Sequence, residues 1–261
     1  MALNWIDLSD TTFDYMFMLE KIQIKWLFDF ADSEDLSIVL KVNPKIKWFF
    51  EKKCPEIKNK IKTLPELDIT DLQKIHETEY KIMKSVEDWM VYIIDPSIYE
   101  NMTFLEWDSK ELLELNDYND KIILDIGSGT GKLAFLVANN KNKVYCVEPV
   151  GTLRSYLKEK SKRLNKNQIF VVDGLITDIP FHDSFSDITM AGHVYGDDLE
   201  DEYNELMRVT KKNGMIILCP GNNDEDNDIH KYLISKGFSW SVFEEPTDGN
   251  KRKYWKIKEI D

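Results

Sequence analysis

Three acidic residues, Asp125, Glu148 and Asp173, each close a short apolar run, and the first stands two residues ahead of alternating glycines at Gly127, Gly129 and Gly131. Each acid suits a different piece of chemistry. A carboxylate at a strand end can take both hydroxyls of a ribose, and another can accept from an exocyclic amine such as that of adenine. The one beside the glycines favours a ligand carrying an ammonium or sulfonium over one carrying a phosphate. The segment Ile122–Ala138, IILDIGSGTGKLAFLVA, reads as a buried strand, a tight turn and a helix start. Its G-x-G-x-G spacing differs from the G-x-G-x-x-G fingerprint that seats a pyrophosphate. Glu148 alone also fits a nicotinamide dinucleotide site, but Asp173 does not. The three strand ends describe one ligand with an amino-acid tail, a ribose and an adenine.

With these pieces, the sequence resembles the class I S-adenosylmethionine-dependent methyltransferases, and within them the small-molecule type 11 group. The resemblance rests on LDIGSGTG (Leu124–Gly131), VEP (Val147–Pro149), DGLITDIPFxD (Asp173–Asp183) and RVTKKNGMIIL (Arg208–Leu218), in family order, and covers about Asn119 to the C-terminus. It implies an α/β fold with a Rossmann-like seven-stranded sheet and S-adenosyl-L-methionine as cofactor. The implied cofactor-binding residues are Asp125, Gly127, Ser128, Gly129, Thr130 and Gly131 from the loop, with Glu148 and Pro149 after the second strand. Asp173, Gly174, Ala191 and His193 follow from later strands, and Trp107 from the segment ahead of the sheet. Two departures stand out. Ser186 replaces a customary Phe, with Phe185 one place early, and Lys211-Lys212-Asn213-Gly214 replaces a commoner Lys-Pro-Gly-Gly turn. Asn-Gly still supplies the positive φ such a turn requires.

Methyl transfer from a sulfonium is an in-line displacement from an activated donor, so the protein's main task is alignment. A base is needed only where the nucleophile keeps its proton near neutral pH. Ligands bind at the carboxyl ends of sheet strands, which directs attention to the loop after the fourth strand, Ala191-Gly-His-Val-Tyr-Gly-Asp-Asp198. Imidazole exchanges protons near neutrality, so His193 is the candidate catalytic base, and Tyr195 the candidate for orienting substrate. A His in such a loop also packs on a cofactor or bonds a backbone group. The loop lacks the Asn/Asp-Pro-Pro-Tyr/Phe signature of exocyclic-amine methylation. Asp197, Asp198, Asn222, Asn223 and Asp224 are oxygen donors that a hard cation accepts, but Asp and Asn are ordinary cap residues, and no metal is expected. The leading expectation is an enzyme that methylates an unidentified small molecule. The alternative is a cofactor-binding regulatory or interaction protein without transferase activity.

From about residue 119, strand-like runs near 121–126, 143–148, 168–172, 187–191 and 214–219 alternate with helical patterns, as in a parallel sheet covered on both faces. Two further runs, Phe238–Glu244 and Lys251–Lys258, flank Asp248-Gly249 and read as a hairpin. The basic residues of the second run are expected to protect an edge strand. Before residue 116 the pattern is helical, over Phe13–Phe30 and Ile69–Ile94, with prolines between. The expected organisation is therefore a helical region at 1–115, serving as lid and substrate region, and a cofactor-binding domain at 116–261. Five of the seven tryptophans (Trp5, Trp26, Trp48, Trp89 and Trp107) lie before residue 116, and large side chains of this kind build the core of a small helical layer. The competing arrangement pairs two copies into a homodimer through these helices.

With 34 basic and 47 acidic residues, the 261-residue chain carries a net charge of −13, which disfavours nucleic acid as a partner. No apolar run has the length of a membrane span, so no membrane partner is expected. The N-terminal MALNWIDLSD lacks a basic cluster before an apolar core, which points to a cytoplasmic location. Cys54, Cys146 and Cys219 have no metal spacing and read as small buried hydrophobes.

Overall fold

Helical periodicity and alternating strand–helix pattern occupy different stretches of the sequence, and the computed structural model, which describes residues 12–67, 70–247 and 249–259, separates them in space. The chain forms two compact units, Met1–Tyr99 and Glu100–Asp261. The first contains α1 (Lys21–Phe30), α2 (Ser33–Val42), α3 (Pro44–Lys53), α4 (Lys58–Lys62), α5 (Leu72–Ser85) and α6 (Glu87–Ile94), and α7 (Pro96–Glu100) runs across the boundary. Local chemistry fixes their starts. Asp32 accepts from Glu34 N and Asp35 N at 2.9 and 3.1 Å ahead of α2, and Pro44 opens α3, where a missing N–H costs nothing. Leu27, Ile46, Phe50 and Ile82 build the core of this unit. Trp26 packs on Trp89 with ring centroids 5.6 Å apart, whereas Trp48 is exposed. Trp5 lies outside the described residues.

The second unit runs α8 (Lys110–Leu113), β1 (Ile122–Ile126), α9 (Lys132–Val137), β2 (Lys143–Val147), α10 (Gly151–Arg163), β3 (Ile169–Val172) and β4 (Ser186–Ala191). It continues with α11 (Leu199–Val209), β5 (Thr210–Asn223), α12 (Asp228–Ser235), β6 (Ser239–Glu245) and β7 (Gly249–Ile257). The seven strands form one sheet of order β3-β2-β1-β4-β5-β7-β6. Strands β1 to β5 are parallel, and β7 runs antiparallel to both β5 and β6. This is the seven-stranded α/β sheet expected from the motifs. The carboxyl ends of β1 to β5 and of β6 therefore share one edge with the start of β7.

Three local readings are refined. Residues 100–115, expected with the helical region, pack with the sheet unit, because Trp107 and Leu112 bury themselves against Ile123, Ile188 and Phe243. The basic strand β7 is not an edge strand: it lies between β5 and β6, and its Lys251, Arg252 and Lys253 are buried because each meets an acid. Arg252 pairs with Asp224 at 2.8 Å and Asp226 at 2.9 Å, and Lys253 with Glu111 at 2.7 Å. Phe185 stacks on Phe181 at 4.3 Å and meets Tyr145 at 5.2 Å, while the buried Ser186 hydroxyl lies 2.7 Å from that of Thr189. The hairpin forms, although Asp248 of its turn lies outside the described residues. The three cysteines are buried free thiols. No helix among the described residues is long and apolar enough to cross a membrane.

Candidate functional site

The β1–β3 part of the edge is built from backbone. Gly127, Gly129 and Gly131 all have positive φ, at 63°, 54° and 90°, a region costly for residues with a Cβ. At Gly127 there is a second requirement: a Cβ there would lie 2.3 Å from Cγ2 of Val194, in the loop after β4. Gly127 N donates to Val147 O at 2.8 Å, and Ser128 Oγ donates to Asp125 O at 2.7 Å. Glu148 is buried, and its carboxylate accepts from Gly129 N at 2.8 Å and Val150 N at 2.9 Å. It thus holds the tip of the glycine loop against the end of β2. Carboxylate oxygens accept more than one hydrogen bond each, so this placement also suits ribose hydroxyls.

Asp173 presents a largely exposed carboxylate, and Arg154 bridges it to β2, donating from Nη1 to Asp173 Oδ1 at 2.9 Å and to Glu148 O at 2.8 Å. Gly174 lies beside it, where a Cβ would meet Pro180 Cδ at 2.6 Å. Pro149 is half-buried, and Thr130 and Ala191 are buried. Lys160 Nζ donates to Thr130 O at 2.9 Å and pairs with Glu100 at 2.6 Å, tying segment 100–115 to the loop.

Two expected site residues have other surroundings. Asp125 is only 1% exposed, and its Oδ2 accepts from Ala134 N at 3.0 Å in the first turn of α9. Burial pushes this carboxyl up to about 7, against the lowering effect of the Ala134 N–H and with a smaller push from Glu148. Trp107 lies in the core against Phe243, ring centroids 5.8 Å apart, with Lys132 Nζ 5.3 Å above its ring. Its indole N–H has no hydrogen-bond partner among the described residues. Burial, then the nearby Lys160, lowers the Lys132 ammonium from its usual range.

The β4–β7 part is built from side chains. His193 has φ 57°, uncommon for a residue with a Cβ, and its N–H donates to Pro220 O at 2.9 Å. Its Nε2 is 3.3 Å from Glu245 Oε1 at the end of β6, and Phe104 meets its ring edge-on at 5.5 Å. Glu245 is 1% exposed, with Lys251 Nζ 3.4 Å from Oε2, yet neither oxygen makes a hydrogen bond among the described residues. Lys251 Nζ donates to Asn223 Oδ1 at 2.6 Å. A groove of about 390 Å³ opens here, lined by Asn223, Asp224, Glu225, Asn250 and Lys251. Tyr195, expected to face the substrate, is instead buried, with its hydroxyl donating to Leu199 O at 2.7 Å, and burial raises its phenol well above the usual range.

Glu202 of α11, which the sequence did not single out, anchors this loop by accepting from Gly196 N at 2.7 Å, Asp198 N at 3.1 Å and Asp197 N at 3.2 Å. Of the five oxygen donors considered for a cation, Asp198, Asn222, Asn223 and Asp224 are engaged in structure. Asp198 accepts from Asp201 N at 3.2 Å, Asn222 exchanges amide hydrogen bonds with Asn227 at 2.8 and 3.0 Å, and Asp224 pairs with Arg252.

Residues 124–218 match a family described as a methyltransferase domain. Among solved structures, the chain is similar to a SAM-dependent methyltransferase from Aquifex aeolicus, at 19% identity over 62% of this chain and 97% of that one, with a TM-score of 0.49. It is also similar to the precorrin-6y C5,15-methyltransferase of Geobacter metallireducens, at 17% identity over 58% and 86%, with a TM-score of 0.46. A third similar structure is that of the [4+2]-cyclase SpnF, at 13% identity over 59% and 79%, with a TM-score of 0.48. No curated protein matches the chain.

Proposed function

Since residues 124–218 match a methyltransferase domain, we propose that the chain transfers a methyl group from S-adenosylmethionine to a small molecule bound at the β4–β7 part of the sheet edge. The observation that carries this reading is the division of that edge. A glycine loop held by Glu148 lies on one side, with Asp173 nearby, and His193 with the groove beside Lys251 lies on the other. The cofactor supplies an electrophilic methyl group on a sulfonium, whose departure leaves a neutral thioether. The protein's residues do the rest. Gly127–Gly131, Glu148 and Asp173 hold the nucleoside and its tail, while the loop anchored by Glu202 aims the acceptor in line with the methyl group. His193 is assigned the acceptor side. The reaction is assigned to the cytoplasm.

Calorimetry with S-adenosylhomocysteine, followed by single-turnover transfer from methyl-labelled cofactor into a small-molecule extract, tests this. Binding with labelled product in the small-molecule fraction supports it. Binding without transfer would favour a regulatory or interaction role, and label in protein or nucleic acid would overturn the substrate class. The helical unit is assigned the role of substrate cover on its sequence character. A chain beginning at Glu100 is expected to bind S-adenosylhomocysteine more weakly or exchange it faster. Unchanged binding together with loss of a dimer would assign the helices to subunit pairing instead.

A further inference from the structure

Glu245 poses a physical question that cofactor binding does not answer. A carboxylate that is 1% exposed and makes no hydrogen bond among the described residues loses its hydration without replacement, which is costly unless a charged neighbour offsets it. Its nearest groups are the Lys251 ammonium, with Nζ at 3.4 Å, and His193 Nε2 at 3.3 Å. Both lie within hydrogen-bond reach with the angles not yet closed, a looseness common in catalytic groups before substrate binds. Lys251 is in turn fixed by Asn223 and lines the groove.

His193 is constrained from three sides. Its backbone is held at positive φ by the bond to Pro220 O, Phe104 meets the ring edge-on, and Nε2 faces Glu245. Its side chain is still 34% exposed. A neutral imidazole carries one N–H. With Glu245 beside Nε2, the proton belongs there, and Nδ1 is left as the proton acceptor.

We propose that Glu245 is a positioning residue that holds the Nε2–H tautomer of His193, so that Nδ1 takes the proton from an acceptor hydroxyl during methyl transfer. The inference rests on the function proposed above. In the step, the acceptor O–H bond breaks with its proton passing to Nδ1, and an oxygen–methyl bond forms. The methyl–sulfur bond breaks with its electron pair retained by sulfur. The imidazolium that results lies beside the carboxylate, while Lys251 balances the carboxylate charge beforehand. A hydroxyl acceptor suits such a base, since a hydroxyl keeps its proton near neutral pH.

The test begins with the unmodified protein. Side-chain nitrogen NMR of histidine-labelled full-length chain, with the His193 signals assigned by their loss in His193→Gln, is expected to show the Nε2–H tautomer. A dominant Nδ1–H tautomer would overturn the proposal without any Glu245 variant. In Glu245→Gln, the tautomers are expected to mix and single-turnover transfer to slow by about tenfold or more, with affinity for S-adenosylhomocysteine unchanged and partial rescue in Glu245→Asp. An unchanged tautomer and rate in Glu245→Gln would sink the role. Carbon-13 methyl label recovered as a methoxy signal supports a hydroxyl acceptor, and an N-methyl or C-methyl signal overturns it. Failure of S-adenosylhomocysteine to bind the unmodified chain would instead remove the function on which the inference rests.

Discussion

The two parts of the sheet edge differ in how one buried carboxylate is met. Along β1–β3, carboxylates are met by backbone N–H groups: Glu148 by Gly129 and Val150, Asp125 by Ala134. Along β4–β7, Glu202 is met in the same way, but Glu245 lies between the side chains of His193 and Lys251, outside hydrogen-bond geometry among the described residues. Backbone donors cannot move without unfolding the loop, so the first part is preorganised for one ligand. Side-chain pairs can turn and tighten, so the second part suits a partner that arrives, exchanges a proton and leaves. On the proposed function, rigidity falls on the cofactor side and adjustability on the acceptor side.

The severest challenge to this contrast is Gly127→Val. The substitution combines a positive φ with a Cβ 2.3 Å from Val194, and the expected cost is about 3 kcal/mol or more, with loss of S-adenosylhomocysteine binding. Denaturant unfolding and calorimetry measure both. A stable variant that still binds would mean the loop is not rigid.

Asp125 gives an effect of comparable size that depends on pH. Its folded value of about 7 lies above the ordinary 3.8, so the folded chain binds more protons than the unfolded chain between these values. Stability from this group is present at low pH, declines as pH rises from about 4 to 7, and levels off above, a total of as much as about 4 kcal/mol. Asp125→Asn keeps an acceptor for Ala134 N–H and removes the titration. Its stability relative to the unmodified chain is therefore expected to rise across that window in denaturant unfolding at a series of pH values. A flat difference would show that Asp125 stays ionised.

Glu148→Ala sharpens the contrast with Glu245. Loss of two bonds to a charged acceptor is expected to weaken S-adenosylhomocysteine binding about 100-fold, equivalent to about 3 kcal/mol, whereas Glu245→Gln leaves that affinity in place. Equal effects on binding in the two variants would erase the division of the edge.

The sequence was informative where function is local. The glycine loop, Glu148 and Asp173 lie at strand ends, so a strand pattern and a spacing suffice to place them. The acceptor side was less legible, for two physical reasons. Glu245 and Lys251 reach His193 only through the β6–β7 register, which no short motif encodes. The loop after β4 also breaks simple alternation, because His193 takes φ 57° and the chain turns there. Val194 thereby reaches Gly127, and Tyr195 goes into the core. The boundary before the sheet was misjudged because the burial of Trp107 and Leu112 is a tertiary fact. Glu202 has an ordinary place on an amphipathic helix, and nothing in its spacing marks it as a loop anchor.

The seam between Val194 and Gly127 has an evolutionary consequence. The loop proposed to face the acceptor is pinned to the loop proposed to hold the cofactor, so on that reading descendants of this chain cannot exchange it freely when they acquire new acceptors. Diversification is channelled instead to the β5 end and the β6–β7 hairpin, where Asn223, Asp224, Glu225, Asn250 and Lys251 border open space. Among chains that keep this seam, those with different acceptors are expected to differ first at the hairpin and last at Val194.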